Sequence, residues 1–305
     1  MIWRRLAIHI WVLGSSNIDT TYTCKTLPKE GQTLLAESVS VATGGKGANQ
    51  AFAARSAGAP VEFIGAVGSD KNADLLMEAL SQAGIGTRYL QRAKGVSGCA
   101  LIVVDNKASN FIIVLPGANT KIPTDMDIEF KPGDLLIAQF EINMDAIQTY
   151  FSRVKLKGAV TVLNPSPVKD IPESLYQTTD ILVVNEDEAF SLAGIKASNS
   201  SDTAACAQRL TGFGPTTVIL TLGSKGVYTY TNGKGCLIRG HKVQPVDTQG
   251  AGDAFLGFFA AMLATGKDMQ EAVRYANAAA ALSVTKQGST QHSMPTMKEV
   301  EMILS

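Results

Sequence analysis

The sequence predicts an α/β fold, a central and mainly parallel sheet flanked by helices, with a small β-sheet lid beside it. Three observations carry this. Short apolar runs alternate with helical periodicity along most of the 305 residues, the pattern of strands buried under helices. The residues that leave those runs are polar or small, as where ligands gather at the carboxyl ends of parallel strands. Two stretches, about 20–43 and 88–116, break the rhythm with short alternating strands and no helix between them.

The elements follow in order. Ala7–Leu13 reads as the first buried strand. Arg4 and Arg5 before it superficially resemble a signal peptide, but His9 interrupts the run and Gly14-Ser15-Ser16-Asn17-Ile18-Asp19 replaces a cleavage site. Leu34–Val41, Cys99–Val104 and Phe111–Leu115 alternate as the strands of a lid or interface sheet, or as edge strands of the main sheet. Leu135–Phe140, Val160–Leu163, Ile181–Val184 and Val218–Leu222 read as further buried strands. Helical spacing is clearest at Ala48–Ala57, Asn72–Ala83, Asp202–Leu210, Ala254–Ala264 and Gln270–Thr285. Without a repeat or a low-complexity linker, residues 1–305 read as one domain.

Composition narrows the function. Lysine plus arginine balance aspartate plus glutamate for a net charge of zero, which argues against nucleic acid or an anionic membrane as partner. No run approaches the ~20 apolar residues of a membrane span. Cys24, Cys99, Cys206 and Cys236 are scattered, with no C-x-x-C pair, which suits free thiols in a reducing, cytoplasmic setting. His9, His241 and His292 are equally dispersed, so a His/Cys metal cluster is not expected.

Asp247-Thr248-Gln249-Gly250-Ala251-Gly252-Asp253-Ala254-Phe255 carries the sharpest chemistry. Gly250, Ala251 and Gly252 leave almost no side-chain bulk, so backbone N–H groups can approach an anion. The helix that follows adds the positive end of its dipole, which makes a phosphate site. Asp253 beside such a site fits a base that deprotonates an attacking hydroxyl; a plain helix N-cap is the other reading. Gly44-Gly45-Lys46-Gly47-Ala48-Asn49-Gln50 opens an earlier helix. No Ser or Thr follows its lysine, so it is not a Walker A loop. Phe255 stands where a dinucleotide fingerprint would need its third glycine. Backbone amides with Lys46 and Asn49 suit a polyhydroxylated ligand. Asn17, Asp19, Glu141, Asn164, Asn185, Thr221 and Gly223 follow the predicted strands and would meet along one edge of the sheet.

Asn17-Ile18-Asp19, the run 44–50, Asn185-Glu186-Asp187-Glu188, Thr221-Leu222-Gly223-Ser224-Lys225-Gly226 and Asp247–Phe255 occur in the order found in the ribokinase family of carbohydrate kinases. The chain resembles that family from about residue 8 to about residue 300. The resemblance implies ATP-dependent phosphorylation of the primary hydroxyl of a pentose, D-ribose to D-ribose 5-phosphate first among the candidates. Another sugar, deoxyribose or a nucleoside is the alternative substrate, and a non-catalytic sugar or nucleotide sensor the alternative class. Asp253 would be the general base and Gly250, Ala251 and Gly252 the anion hole. Asn17, Asp19, Gly45, Lys46, Asn49 and Glu141 would bind the sugar. Asn185, Thr221, Gly223, Ser224, Gly226 and Asn277 would face the nucleotide. Asn185 and Glu188 would hold Mg²⁺ through water, at a helix start that also reads as a capping box. Asp247, Gln249, Ser283, Lys286, Gly288 and Ser293 would surround an activating K⁺. Stretches 20–43 and 88–116 would form the lid, through which two copies pair as a homodimer.

Overall fold

The computed structural model describes residues 8–107, 109–288 and 291–305, the His292 side chain excepted. Arg4, Arg5 and Ala7 of the amino-terminal reading lie outside the described residues.

The strands, in chain order, are β1 (Ile10–Leu13), β2 (Asn17–Cys24), β3 (Ser38–Gly44), β4 (Val61–Val67), β5 (Gly86–Arg92), β6 (Gly98–Asp105) and β7 (Asn110–Leu115). Then come β8 (Leu135–Gln139), β9 (Val160–Asn164), β10 (Ile181–Asn185), β11 (Thr217–Thr221), β12 (Gly226–Thr231) and β13 (Lys234–Arg239). The helices are α1 (Lys46–Ser56), α2 (Lys71–Gln82), α3 (Met144–Leu156), α4 (Glu173–Gln177) and α5 (Glu186–Ala193). They continue as α6 (Ser200–Thr211), α7 (Ala251–Ala264), α8 (Met269–Ser283) and α9 (Met297–Leu304).

Nine strands form one sheet in the order β13-β12-β11-β10-β9-β8-β1-β4-β5, parallel from β5 to β11 and antiparallel at the β12 and β13 edge. The chain grows outward from β1 through β4 to β5, then restarts at β8 on the other side. The reversal of direction at β1/β8 is the topological switch point, where open α/β sheets bind ligands at the strands' carboxyl ends.

Alternation along the strands divides the core into two layers. Ile10 and Val12 of β1 point with Ile137, Val162, Val183 and Ile219 toward α1, α2, α7 and α8. Trp11 and Leu13 point with Leu136, Leu163, Leu182 and Val218 toward α3, α5 and α6. Helix α7 is apolar on every side, and Phe255, Phe258 and Phe259 are fully buried, each worth about 1.5–3 kcal/mol of burial. It runs against α1 so closely that a Cβ on Gly257 would lie 2.5 Å from the Gln50 carbonyl oxygen and 2.6 Å from the Ala54 nitrogen. Those are backbone atoms and cannot swing aside. Gly257→Ala should therefore cost about 1–3 kcal/mol through overpacking, read as a lower midpoint in denaturant unfolding.

The second sheet has the order β3-β2-β6-β7. Its strands begin earlier and later than sequence suggested, β2 at Asn17 and β3 at Ser38. Residues 86–92, partly inside the predicted lid stretch 88–116, instead form β5 at the edge of the large sheet. Leu90 explains the difference: it is buried in the layer shared with α1 and α2. Period-2 alternation looks alike in a lid strand and in an edge strand. On β7 the apolar side chains Phe111, Ile112, Ile113, Val114 and Leu115 are all exposed. Among the described residues, no helix is long and apolar enough to cross a membrane.

Candidate active site

The carboxyl ends of β9, β10 and β11 face the start of α7 around a cavity of about 180 Å³, which Lys46 of α1 also borders. Gly250 is the N-cap of α7 at φ +72°, a left-handed conformation that glycine adopts without strain. No side chain caps the helix, and its first N–H groups have no acceptor within the helix. Gly250, Ala251, Gly252 and Asp253 all border the cavity. A helix N-terminus of this kind attracts an anion.

Asp253 is the third residue of α7, so the N-cap reading of it does not hold. Its carboxylate turns away from the helix backbone. Oδ1 accepts from Gln50 Nε2 at 2.9 Å and Oδ2 accepts from Asn49 Nδ2 at 3.4 Å. Burial pushes its pKa up to about 6, while Lys46 and the Gln50 amide pull the other way. A carboxylate poised there is ionised at neutral pH and still basic enough to take a proton.

On the β1 side, Ser15, Asn17 and Asp19 leave the strand into β2, and Gly45 and Lys46 open α1. Glu141 Oε2 accepts from Ser15 Oγ at 2.5 Å and from the Lys46 backbone N–H at 3.0 Å, which joins the ends of β1, β8 and α1. Asn17 Oδ1 accepts from Asn119 Nδ2 at 2.8 Å. Asn119 is itself fixed, because its Oδ1 accepts from the Ser16 N–H at 3.0 Å. That leaves the Asn17 amide nitrogen as its free donor. Burial first, and the charge of Glu141 second, push the Asp19 carboxyl up to about 7.

Among the described residues, four buried side-chain polar atoms have no hydrogen-bond partner: Ser16 Oγ, Asp19 Oδ1, Asn49 Oδ1 and Gln139 Oε1. All four belong to segments around the β1/β8 switch point. Buried polar atoms are nearly always paired, because each orphan costs about 1–3 kcal/mol. Their concentration here marks a place prepared for a polar ligand.

On the β10 side, Asn185 Oδ1 accepts from the Glu188 N–H at 2.8 Å and Glu188 Oε2 accepts from the Asn185 N–H at 3.0 Å. This is a complete capping box at the start of α5. Both residues also line the cavity, with Thr221, Thr248, Asn164 and Lys46. Gly223 and Ser224 form the turn Gly223–Lys225 and Gly226 starts β12; none of the three lines this cavity. Asn277 does not reach it either. Its Nδ2 donates to the Arg239 carbonyl at 2.8 Å and ties α8 to the end of β13.

Of the six residues expected around a monovalent cation, Asp247 is joined directly to Gln249 and Gly288. Asp247 Oδ1 accepts from the Gln249 N–H at 2.9 Å and Oδ2 from the Gly288 N–H at 3.0 Å. The Asp247 N–H donates to the Val284 carbonyl at 3.1 Å, and the Lys286 N–H to the Ser283 carbonyl at 3.0 Å. Residues 247–249 and the turn 283–288 are thus clamped together just before Gly250, Ala251 and Gly252. The Lys286 side chain leaves this cluster for Glu299 at 2.9 Å. Ser293 is buried in the short turn Gln291–Ser293, while Ser289 and Thr290 lie outside the described residues.

Another cavity, about 190 Å³, opens at the amino ends of the strands beside His9, Trp11 and Asp134. Asp134 is spent there on the His9 N–H, the Trp11 Nε1–H and the Lys131 N–H, a structural staple rather than chemistry. Sequence reasoning gave no role to Ser15, Gln50, Asn119, Gln139 or Thr248. Gln50 stood inside the run 44–50, whereas a polar residue at the end of the apolar strand β8 was the one available signal for Gln139.

Residues 7–297 match the model of the pfkB family carbohydrate kinases. The chain is 37% identical over 299 residues to the ribokinase of Staphylococcus aureus, covering 96% of this chain and 98% of that one. It is 34% identical over 304 residues to the deoxyribokinase of Salmonella typhimurium, covering 98% and 99%. The structure of Arabidopsis thaliana ribokinase complexed with ribose and ATP superposes with a TM-score of 0.90 at 30% identity, covering 99% of both chains.

Proposed function

The chain belongs to the pfkB family of carbohydrate kinases, and from that premise we propose that it transfers the γ-phosphoryl group of ATP to the primary hydroxyl of D-ribose, giving D-ribose 5-phosphate. The observation that carries this reading is the buried carboxylate of Asp253 at the N-terminus of α7, with the orphaned polar atoms at the switch point nearby. Asp253 takes the proton of the attacking hydroxyl. The N–H groups at Gly250, Ala251 and Gly252 stabilise charge on the transferred phosphoryl group. Asn17, Asp19, Gly45, Lys46, Asn49 and Glu141 hold the sugar. A carboxylate accepts from two hydroxyls at once, so a vicinal diol uses Asp19 more fully than a 2-deoxy sugar can. Phosphorus NMR of the product tests the regiochemistry: an ester at O5 is expected, and an ester at O1 would contradict it.

Asn185, Thr221, Gly223, Ser224 and Gly226 are assigned to the nucleotide, with Asn277 acting from behind through Arg239. Among the described residues, no group of three or more His, Cys, Asp or Glu could hold a metal ion. Asn185 Oδ1 and one Glu188 oxygen are engaged in the capping box. Mg²⁺ would therefore arrive on the phosphates of ATP and meet Glu188 through its own water. There it would offset phosphate charge. A K⁺ ion would find only oxygen donors at Asp247, Gln249, Ser283, Lys286, Gly288 and Ser293, mainly backbone carbonyls. Its place beside residues 250–252 would favour their anion-binding conformation.

The four-stranded sheet serves as the lid, excluding water that would compete as acceptor. A second copy would cover the exposed apolar row on β7, an open edge strand that is otherwise an aggregation risk. ATP as substrate and four free thiols suit the cytoplasm.

The Asp19 assignment has a pH consequence. Sugar hydroxyls donate to the ionised carboxylate, whereas the empty site holds a proton on Asp19 below about pH 7. Binding must then release that proton. The Kd for ribose should rise as pH falls below 7, by up to roughly tenfold per pH unit. Calorimetric titration across this range measures it, and Asp19→Asn should flatten the slope.

A further inference from the structure

Resting on Asp253 as the base, we propose that Gln139 is a positioning residue for phosphoryl transfer: it holds the Gln50 amide with its nitrogen toward Asp253 and so keeps that carboxylate in its proton-accepting form. Three elements far apart in sequence build the contact. Gln139 closes β8, Gln50 lies on α1 and Asp253 on α7. Gln139 Nε2 donates to Gln50 Oε1 at 2.6 Å, and Gln50 Nε2 donates to Asp253 Oδ1 at 2.9 Å. Both glutamines are 0% exposed, so water does not substitute for either bond.

An amide has two faces of nearly equal shape, a donor and an acceptor. Turned over, Gln50 would present Oε1 to Asp253, which only a protonated acid can satisfy. It would also bring its own NH₂ group against that of Gln139. Turning both amides would remove that clash but place both N–H donors of Gln139 in the buried position where its Oε1 now finds no partner. In the observed arrangement the Gln139 orphan is a single acceptor, Oε1. It is packed at Gly14, where an added Cβ would lie 2.5 Å from it. The orientation is thus set from β8 outward.

The other groups facing Asp253 are Lys46, which favours its ionised form, Glu141, which opposes it, and the Asn49 amide. Asp19 acts one step removed, as a neighbour of Glu141. Gln50 makes the shorter of the two hydrogen bonds to the base, and after burial and the Lys46 charge its orientation weighs next on when the base can accept a proton. If the glutamines only fill space, substitution would weaken the fold and slow turnover equally at every pH.

The test is the pH profile of kcat with saturating ribose and MgATP, for the full chain and its variants, from about pH 5 to about pH 9. The parent should lose rate through an acid limb near pH 6. Gln139→Met keeps the volume and removes the donor. Its limb should move up by roughly one pH unit, with most of the rate recovered above the new limb. Gln50→Met should move it at least as far, and the double variant no further than Gln50→Met, because Gln139 acts through Gln50. Gln139→Asn, too short to reach Gln50, repeats the test should Gln139→Met fail to fold. An unmoved limb with a uniform loss of rate, or additive shifts in the double variant, would overturn the proposal. Asp253→Asn separates the two layers. If it stays active, the base assignment falls and the positioning role with it; if it is inactive while the Gln139 limb stays put, the positioning role alone is refuted.

Discussion

Asp253→Asn should lose about 10²–10⁴-fold in kcat, the usual worth of a positioned general base, and bind ribose within a few-fold of the parent. The substitution keeps the shape of a side chain that is 6% exposed. The new amide can still accept from Gln50 through its oxygen. Its NH₂ can pair with Asn49 once that amide turns over, exchanging the Nδ2 that now faces Asp253 for the Oδ1 that has no partner. Stability should move the other way. The folded-state pKa of about 6 lies above the ordinary 3.8, so the folded protein binds the proton more tightly than the unfolded chain. The ionised group therefore penalises the fold, in full once pH rises past 6. Removing the charge should stabilise the protein at neutral pH by about 1–3 kcal/mol. Loss of turnover with a raised melting temperature is the signature of a strained functional group. Loss of both would mark Asp253 as structural.

Gly252→Ala should fold like the parent and lose roughly 10²-fold in kcat. A Cβ built at Gly252 meets nothing within 4 Å, so the protein itself has room for the methyl group. Gly252 is exposed and borders the cavity. The methyl would then stand where a phosphoryl group must approach the N–H groups of α7. The effect should fall on kcat, with the melting temperature unchanged. A fully active Gly252→Ala would mean that the phosphate approaches from elsewhere. It also discriminates against the sensor reading, since a protein that only binds sugar has no use for this opening.

The site was legible wherever one short stretch carries the chemistry. In Asp247–Phe255 glycines precede an apolar helix, the pattern that predicts an anion site, and in the run 44–50 glycines flank Lys46, the pattern that predicts a site for a polyhydroxylated ligand. Strand ends were legible because polar residues such as Asn164 and Asn185 interrupt apolar runs, and they do converge on the cavity. What sequence hides is partnership. Gln50 and Gln139 are 89 residues apart, and a lone glutamine has neither period nor spacing to announce a partner. The N-cap reading of Asp253 failed because the choice between helix positions one turn apart depends on Gly250 taking a positive φ. The lid was misjudged at 88–92 because Leu90 is buried by α1 and α2, which the alternation of a single strand does not reveal. Asn277 sits in an alanine-rich helix, and only the fold shows that its amide is committed to Arg239.

ADP release measured against D-ribose, 2-deoxyribose, other pentoses, hexoses, nucleosides and sugar acids, each with Mg²⁺ and with K⁺ or Na⁺, tests the central claim most directly. The account predicts turnover highest with D-ribose and raised by K⁺. Measurable sugar binding with no ADP release on any of them would contradict it.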